Sequence, residues 1–129
     1  MTLSEMVKAA YENSKAHGFH DKMPGDDSPG GRGVTAEDLL KRLESLPEKL
    51  ALIHSEVSEA LEEYRERGEG CLRIEFDVKG KPIGLWSELA DVVIRVGDLC
   101  GMLSVDLEHA VTQKMIYNKG RPFKHGKVC

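Results

Sequence analysis

Four carboxylates stand out by type and spacing. Glu56 and Glu59 lie three residues apart in the run Leu50-Ala-Leu-Ile-His-Ser-Glu-Val-Ser-Glu-Ala-Leu-Glu-Glu-Tyr-Arg65, with Glu63 seven residues beyond the first. Glu88-Leu-Ala-Asp91 repeats the three-residue spacing further on. Residues three apart on a helix are neighbours, about 5–6 Å between Cβ atoms, and like charges so placed repel by a few tenths of a kcal/mol. A single acidic stripe on a Glu-rich helix is ordinarily a solvated face. A second pair set among Leu89, Val92 and Val93 is a different matter, because carboxylates among apolar neighbours lose hydration unless something compensates. Two such pairs on two helices can converge as a nest of oxygen ligands suited to Mg²⁺ or Mn²⁺. The plainer alternative for the second pair is an Asp91–Arg95 ion pair at i, i+4, with Glu88 near a helix start where the dipole favours acids.

A complementary cationic group lies near the end of the chain. Lys114, Asn118 and Arg121 fall at i, i+4 and i+7. Lysine offers a point charge, asparagine a neutral amide donor, and arginine a planar fork matched to phosphate oxygens. Basic residues also favour helix C-termini for no functional reason. The last sixteen residues carry five positive side chains and no acid, on a chain of net charge −4, so the remaining body is strongly acidic. That balance argues against general nucleic-acid binding and suits a ligand needing both a metal and cationic contacts, such as a polyphosphate.

The elements that must hold these groups are mostly helical. At 129 residues, with 40% hydrophobic and 31% charged content, the chain reads as one ordinary globular domain, 1–129. Leu3, Met6, Val7, Ala10 and Tyr11 give a first helix over 3–16, closed by Gly18. Residues 18–34 are dense in Gly, Pro and Asp and predict a mobile loop. His17 and His20 share an HxxH spacing there, but Gly18 disfavours a helix between them. Thr35 is the N-cap of a short helix marked by Leu39, Leu40, Leu43 and Leu46. Pro47 either breaks it or opens the next helix.

That next helix, from Lys49 to about Arg67, presents Leu50, Ile53, Val57, Ala60, Leu61 and Tyr64 as one apolar face with the acids beside it, and Gly68 and Gly70 stop it. Alternation at Leu72, Ile74, Phe76 and Val78 before Lys79-Gly80 predicts a short hairpin near 72–83. A helix over 85–103 is apolar on most sides. So thin a bundle cannot cover it alone, which predicts a homo-oligomer, dimer or tetramer. Ser104 caps a last helix whose buried side is Leu107, Ala110, Val111, Met115 and Ile116, before the basic tail 120–129. The fold class expected is all-α, a four- to five-helix bundle.

Three cysteines without CxxC spacing indicate reduced thiols rather than a disulfide framework or thiolate zinc site. No apolar run approaches the roughly 20 residues of a membrane span. The start has neither the basic nor the apolar region of a signal peptide, so a cytoplasmic protein is expected, with no membrane partner.

Ordered this way, Glu56-x-x-Glu59 and Glu88-x-x-Asp91 on successive helices resemble the signature of the MazG-like all-α NTP pyrophosphatases, which include MazG, the dimeric dUTPases and the dCTP pyrophosphatases. Lys114-x-x-x-Asn118-x-x-Arg121 resembles the phosphate-contacting face of the dUTPase branch. The contexts Leu-Ile-His-Ser-Glu56-Val-Ser-Glu59-Ala-Leu, Glu88-Leu-Ala-Asp91-Val-Val-Ile-Arg and Asn118-Lys-Gly-Arg-Pro-Phe-Lys-His-Gly-Lys look most like small stand-alone or phage proteins of that group. The likeness covers about Pro47 to Lys127. Ser55 stands where many relatives carry a further acid, and the 18–34 loop has no counterpart.

The resemblance implies hydrolysis of a nucleoside triphosphate between its α- and β-phosphates, giving a monophosphate and pyrophosphate. Glu56, Glu59, Glu88 and Asp91 would hold Mg²⁺, with Glu56 or Glu59 also polarising the attacking water. Lys114, Asn118 and Arg121 would clamp the phosphates, and Phe19, His20, Trp86 and Tyr117 are the candidates to stack on the base. Trp86 and Tyr117 also suit core positions. A di-iron carboxylate bundle needs Glu-x-x-His pairs, and every Glu here lacks His at i+3. The remaining alternative is a non-catalytic helical nucleotide-binding or regulatory dimer with a vestigial site.

Overall fold

The structure, a computed structural model, describes residues 1–122. Lys124, Lys127 and Cys129, and with them much of the basic tail, lie outside the described residues. The order of elements is α1 (Leu3–Ala16), α2 (Ala36–Arg42), α3 (Leu46–Arg67), β1 (Glu75–Phe76), β2 (Pro82–Ile83), α4 (Leu85–Met102) and α5 (Leu107–Lys119). The fold is therefore mostly helical with one small antiparallel sheet, in which Glu75 pairs with Ile83 and Phe76 with Pro82. No helix among the described residues is long and apolar enough to cross a membrane.

Local chemistry accounts for most boundaries. Thr2 and Thr35 each start a helix with a reciprocal capping box, to Glu5 and Asp38 respectively. α1 ends in a Schellman motif: Gly18 N–H donates to Lys15 O and Phe19 N–H to Ser14 O, with Gly18 at φ +82°. Pro47 lies in the first turn of α3, where its missing N–H costs nothing. Gly68 closes α3 at φ +54°. At the hairpin tip the Asp77 carboxylate accepts from Lys79 N at 2.8 Å and Lys81 N at 2.9 Å.

α4 is the central element, packed against α1 on one side and α3 on the other. The α1 contact is close because α4 offers glycines. A Cβ on Gly97 would stand 2.7 Å from Met6 Sδ, and one on Gly101 would stand 2.5 Å from Tyr11 Cβ. Arg42, only 2% exposed, locks the far end. Its Nη1 donates to Met102 O at 2.7 Å and its Nε to Pro24 O at 2.8 Å. Tyr11 Oη donates to Asp27 Oδ2 at 2.7 Å, and Lys15 pairs with the same carboxylate. The 18–34 loop is thus tied to α1, α2 and α4, and a bridge between Asp26 and Gly33 closes it on itself.

Several expectations need correction. On α3, Ala60 is buried, but Leu50, Val57, Leu61 and Tyr64 are exposed, and Glu56 is buried instead. The reason is that α4 lies on the acidic side of α3, so Glu56 is covered and most of the aliphatics face out, while Glu59 on the same side stays open to solvent. On α2 the buried residues are Asp38 and Arg42, while Leu40, and Leu43 just past the helix end, are exposed. The last helix is capped by Asp106, not Ser104, which sits at φ +56° in the preceding turn. α5 buries no residue within the chain: Val111, Met115 and Ile116 are exposed. Arg95 pairs across to α3 rather than with Asp91.

Candidate active site

The two acidic pairs meet where α3 and α4 pack. One oxygen from each of Glu56, Glu59 and Glu88 lies within 4.8 Å of the others. Glu56 is buried, Glu88 half-buried and Glu59 exposed, so the group opens to solvent on one side. Asp91, one turn along α4 from Glu88, stands close enough to feel Glu56 and to act on Glu88. Glu63, the third acid of the α3 stripe, is drawn off instead by Arg67, whose Nε lies 3.5 Å from Glu63 Oε2.

Crowding leaves an electrostatic signature. Burial, the hydrogen bond to Glu59, and the charges of Glu59, Asp91 and Glu56 push the Glu88 carboxyl up to about 7. Burial and the Glu56 charge raise Asp91 as well, with Arg95 and Lys81 partly offsetting them. Arg95 Nε donates to Glu56 Oε1 at 2.6 Å and fixes that carboxylate. Among the described residues Arg95 is the cation paired with one of these four acids, and Lys81 acts only on Asp91 from further off, which leaves a net negative site whose donors are carboxylate oxygens. That donor set fits a hard divalent ion such as Mg²⁺ or Mn²⁺.

A cleft of about 440 Å³ opens beside the acids. α3 lines it with Lys49, Leu52 and Glu56, and α4 with Asp91, Ile94, Arg95 and Asp98. α1 contributes Asn13 and Ser14, and Phe19 stands at the mouth with 72% of its surface exposed. Asp98 is held by two bonds, accepting from Ser14 Oγ at 3.0 Å and lying 2.7 Å from His20 Nε2.

Of the sequence-based site residues, the fold brings Glu56, Glu59 and Glu88 together, with Asp91 beside them on the cleft wall but outside that close group, and sets Phe19 on the same cleft. His20 is turned inward onto Asp98, its side chain 4% exposed and its ring tilted on Tyr11. Trp86 donates Nε1–H to Leu72 O at 2.6 Å and does not line the cleft. Lys114 and Asn118 lie near the end of α5 and Arg121 just beyond it, with Lys114 and Arg121 each over the Tyr117 ring at 5.3 and 5.6 Å. None of these four lines the cleft of its own chain. Sequence reading missed Lys49, Arg95 and Asp98 as site residues. The signal available was periodic: Lys49 precedes Glu56 by seven residues, and Asp98 follows Asp91 by seven. No family model, curated protein or solved structure matches the chain, so the site is defined by its own geometry.

Proposed function

We propose that the protein is a Mg²⁺-dependent nucleoside triphosphate pyrophosphohydrolase of the MazG-like all-α kind, with Mn²⁺ as a substitute ion. The observation that carries this reading is the convergence of Glu56, Glu59 and Glu88 within 4.8 Å beside a nucleotide-sized cleft. Those three and Asp91 are the residues that would hold the ion, which would neutralise charge developing on the phosphate oxygens. In this reading Glu56 or Glu59 would orient and polarise the attacking water, and the solvent exposure of Glu59 supports the second. Glu56, pinned by Arg95, keeps a fixed ligand direction. Lys49 and Arg95 are the cleft's own cations. The α5 group of Lys114, Asn118 and Arg121 stands apart from it, so in this reading it meets the phosphates across a homo-oligomer contact.

Self-association has independent support. Leu50, Val57, Leu61 and Tyr64 on α3, Leu89 and Val93 on α4, and Met115 and Ile116 on α5 are all exposed in the single chain. A second copy covering such faces would remove them from water.

The test is a panel of canonical and modified nucleoside triphosphates with Mg²⁺ or Mn²⁺, scored for pyrophosphate. Release of monophosphate and pyrophosphate is expected, falling on the order of 100-fold or more in Glu59→Gln. A wild-type protein that cleaves none of the panel, and matches Glu59→Gln, sinks the enzyme reading. If that inert protein still binds nucleotide, the non-catalytic module takes its place.

A further inference from the structure

The cleft is layered along the helices. On α3, Lys49 lies seven residues from Glu56. On α4, Asp98 lies seven from Asp91. Seven residues are two turns, about 10 Å along the axis, and return a side chain to nearly the same face. One end of the cleft is therefore acidic, and the other carries one cation and one anion. Between them Leu52 and Ile94 contribute an apolar layer, with the Phe19 ring at the mouth. A flat heterocycle suits the middle layer, and the separation of the two ends is comparable to that between the 5′ oxygen of a nucleotide and the far edge of its base.

The far end has a defined hydrogen-bonding sense. Ser14 and His20 each engage a different oxygen of Asp98, which orients the carboxylate and leaves acceptor capacity on both, since an ionised carboxylate offers about four lone-pair sites. Lys49 forms no hydrogen bond or ion pair among the described residues, and an ammonium can only donate.

We propose that Asp98 and Lys49 read the edge of the bound base and select those with a ring N–H beside a carbonyl (guanine, hypoxanthine, uracil, thymine) over adenine and cytosine. This rests on the nucleotide reading above and adds its substrate class. Asp98 accepts the ring N–H, and Lys49 donates to the adjacent carbonyl oxygen. Adenine and cytosine reverse the pattern. They turn a ring lone pair to the carboxylate and an amino group to the ammonium, leaving both residues unmatched. Unmatched polar groups are what make such sites discriminate.

The test is the affinity of the full-length protein for nucleoside monophosphates, by calorimetry, which needs no turnover. GMP and IMP should bind at least 10-fold tighter than AMP, and UMP tighter than CMP. Asp98→Asn, whose amide both donates and accepts, should narrow the GMP-to-AMP ratio towards one. Lys49→Gln should narrow it too, without disturbing the Ser14 and His20 contacts to Asp98. Equal wild-type affinities, no binding of any monophosphate, or an Asp98→Asn loss that is uniform across bases would overturn the proposal. Monophosphates that sort as expected while no triphosphate is cleaved would uphold base reading and remove only hydrolysis. Triphosphates cleaved without regard to base, with monophosphates binding equally, would do the reverse.

Discussion

Glu88 is the residue at which the site's electrostatics become measurable. Its carboxyl is pushed up to about 7 by burial and by the acids around it, from an ordinary 4.5. A folded value above the unfolded one means that the folded state holds the proton more tightly. The contribution to stability is then complete below about pH 4.5 and is lost as pH rises through about 7. The metal-free protein should therefore melt lower at about pH 8 than at about pH 5.5, and Glu88→Gln should flatten that slope. A slope unchanged in the variant would show that Glu88 does not cause it. Asp38 acts in the opposite direction. The Arg32 guanidinium and the Thr35 N–H hold it down to about 2, from an ordinary 3.8. Its contribution is present above about pH 4 and fades as pH falls towards 2. Arg32→Ala should move the acid unfolding midpoint upward.

Among the elements, the α1–α4 contact has the least room. Gly101 lies against the Tyr11 Cβ, a point near the α1 backbone that cannot swing aside. Gly101→Ala should cost about 1–3 kcal/mol in urea unfolding despite the better helix propensity of alanine. Arg42 joins α2 to the loop and to the last turn of α4. Arg42→Met should cost about 3 kcal/mol or more, because Pro24 O, Met102 O and Asp27 lose a buried partner. These elements were unevenly legible in the sequence. α1 was readable because apolar residues at helical period run up to a glycine terminator, and the Thr2–Glu5 capping box that sets its start came out only in the structure. The four acids were readable because their spacing is that of one helix face. The inward face of α3 was not. Its aliphatic row and its acidic row each have helical period, and periodicity alone does not say which row the neighbouring helix will cover. Asp98 stayed hidden for a related reason: its partners, Ser14 and His20, are more than seventy residues away in sequence.

At the scale of the whole molecule, the outward aliphatic row of α3 has an expected outcome. Sedimentation should give a mass above 14.3 kDa, and the double change Val57→Asp with Leu61→Asp should return it to that of one chain, since charges at the centre of an apolar contact are left unpaired. A wild-type protein that sediments as one chain would show that these faces stay bare. The end of α1 has a quieter consequence. Because the Schellman cap itself fixes the backbone at Phe19, the ring's station is decided before the chain enters the glycine-rich excursion that follows. Residues spliced in beside Gly30, where an added Cβ would meet no atom within 4 Å, should lengthen that excursion and leave the aromatic wall where it stands.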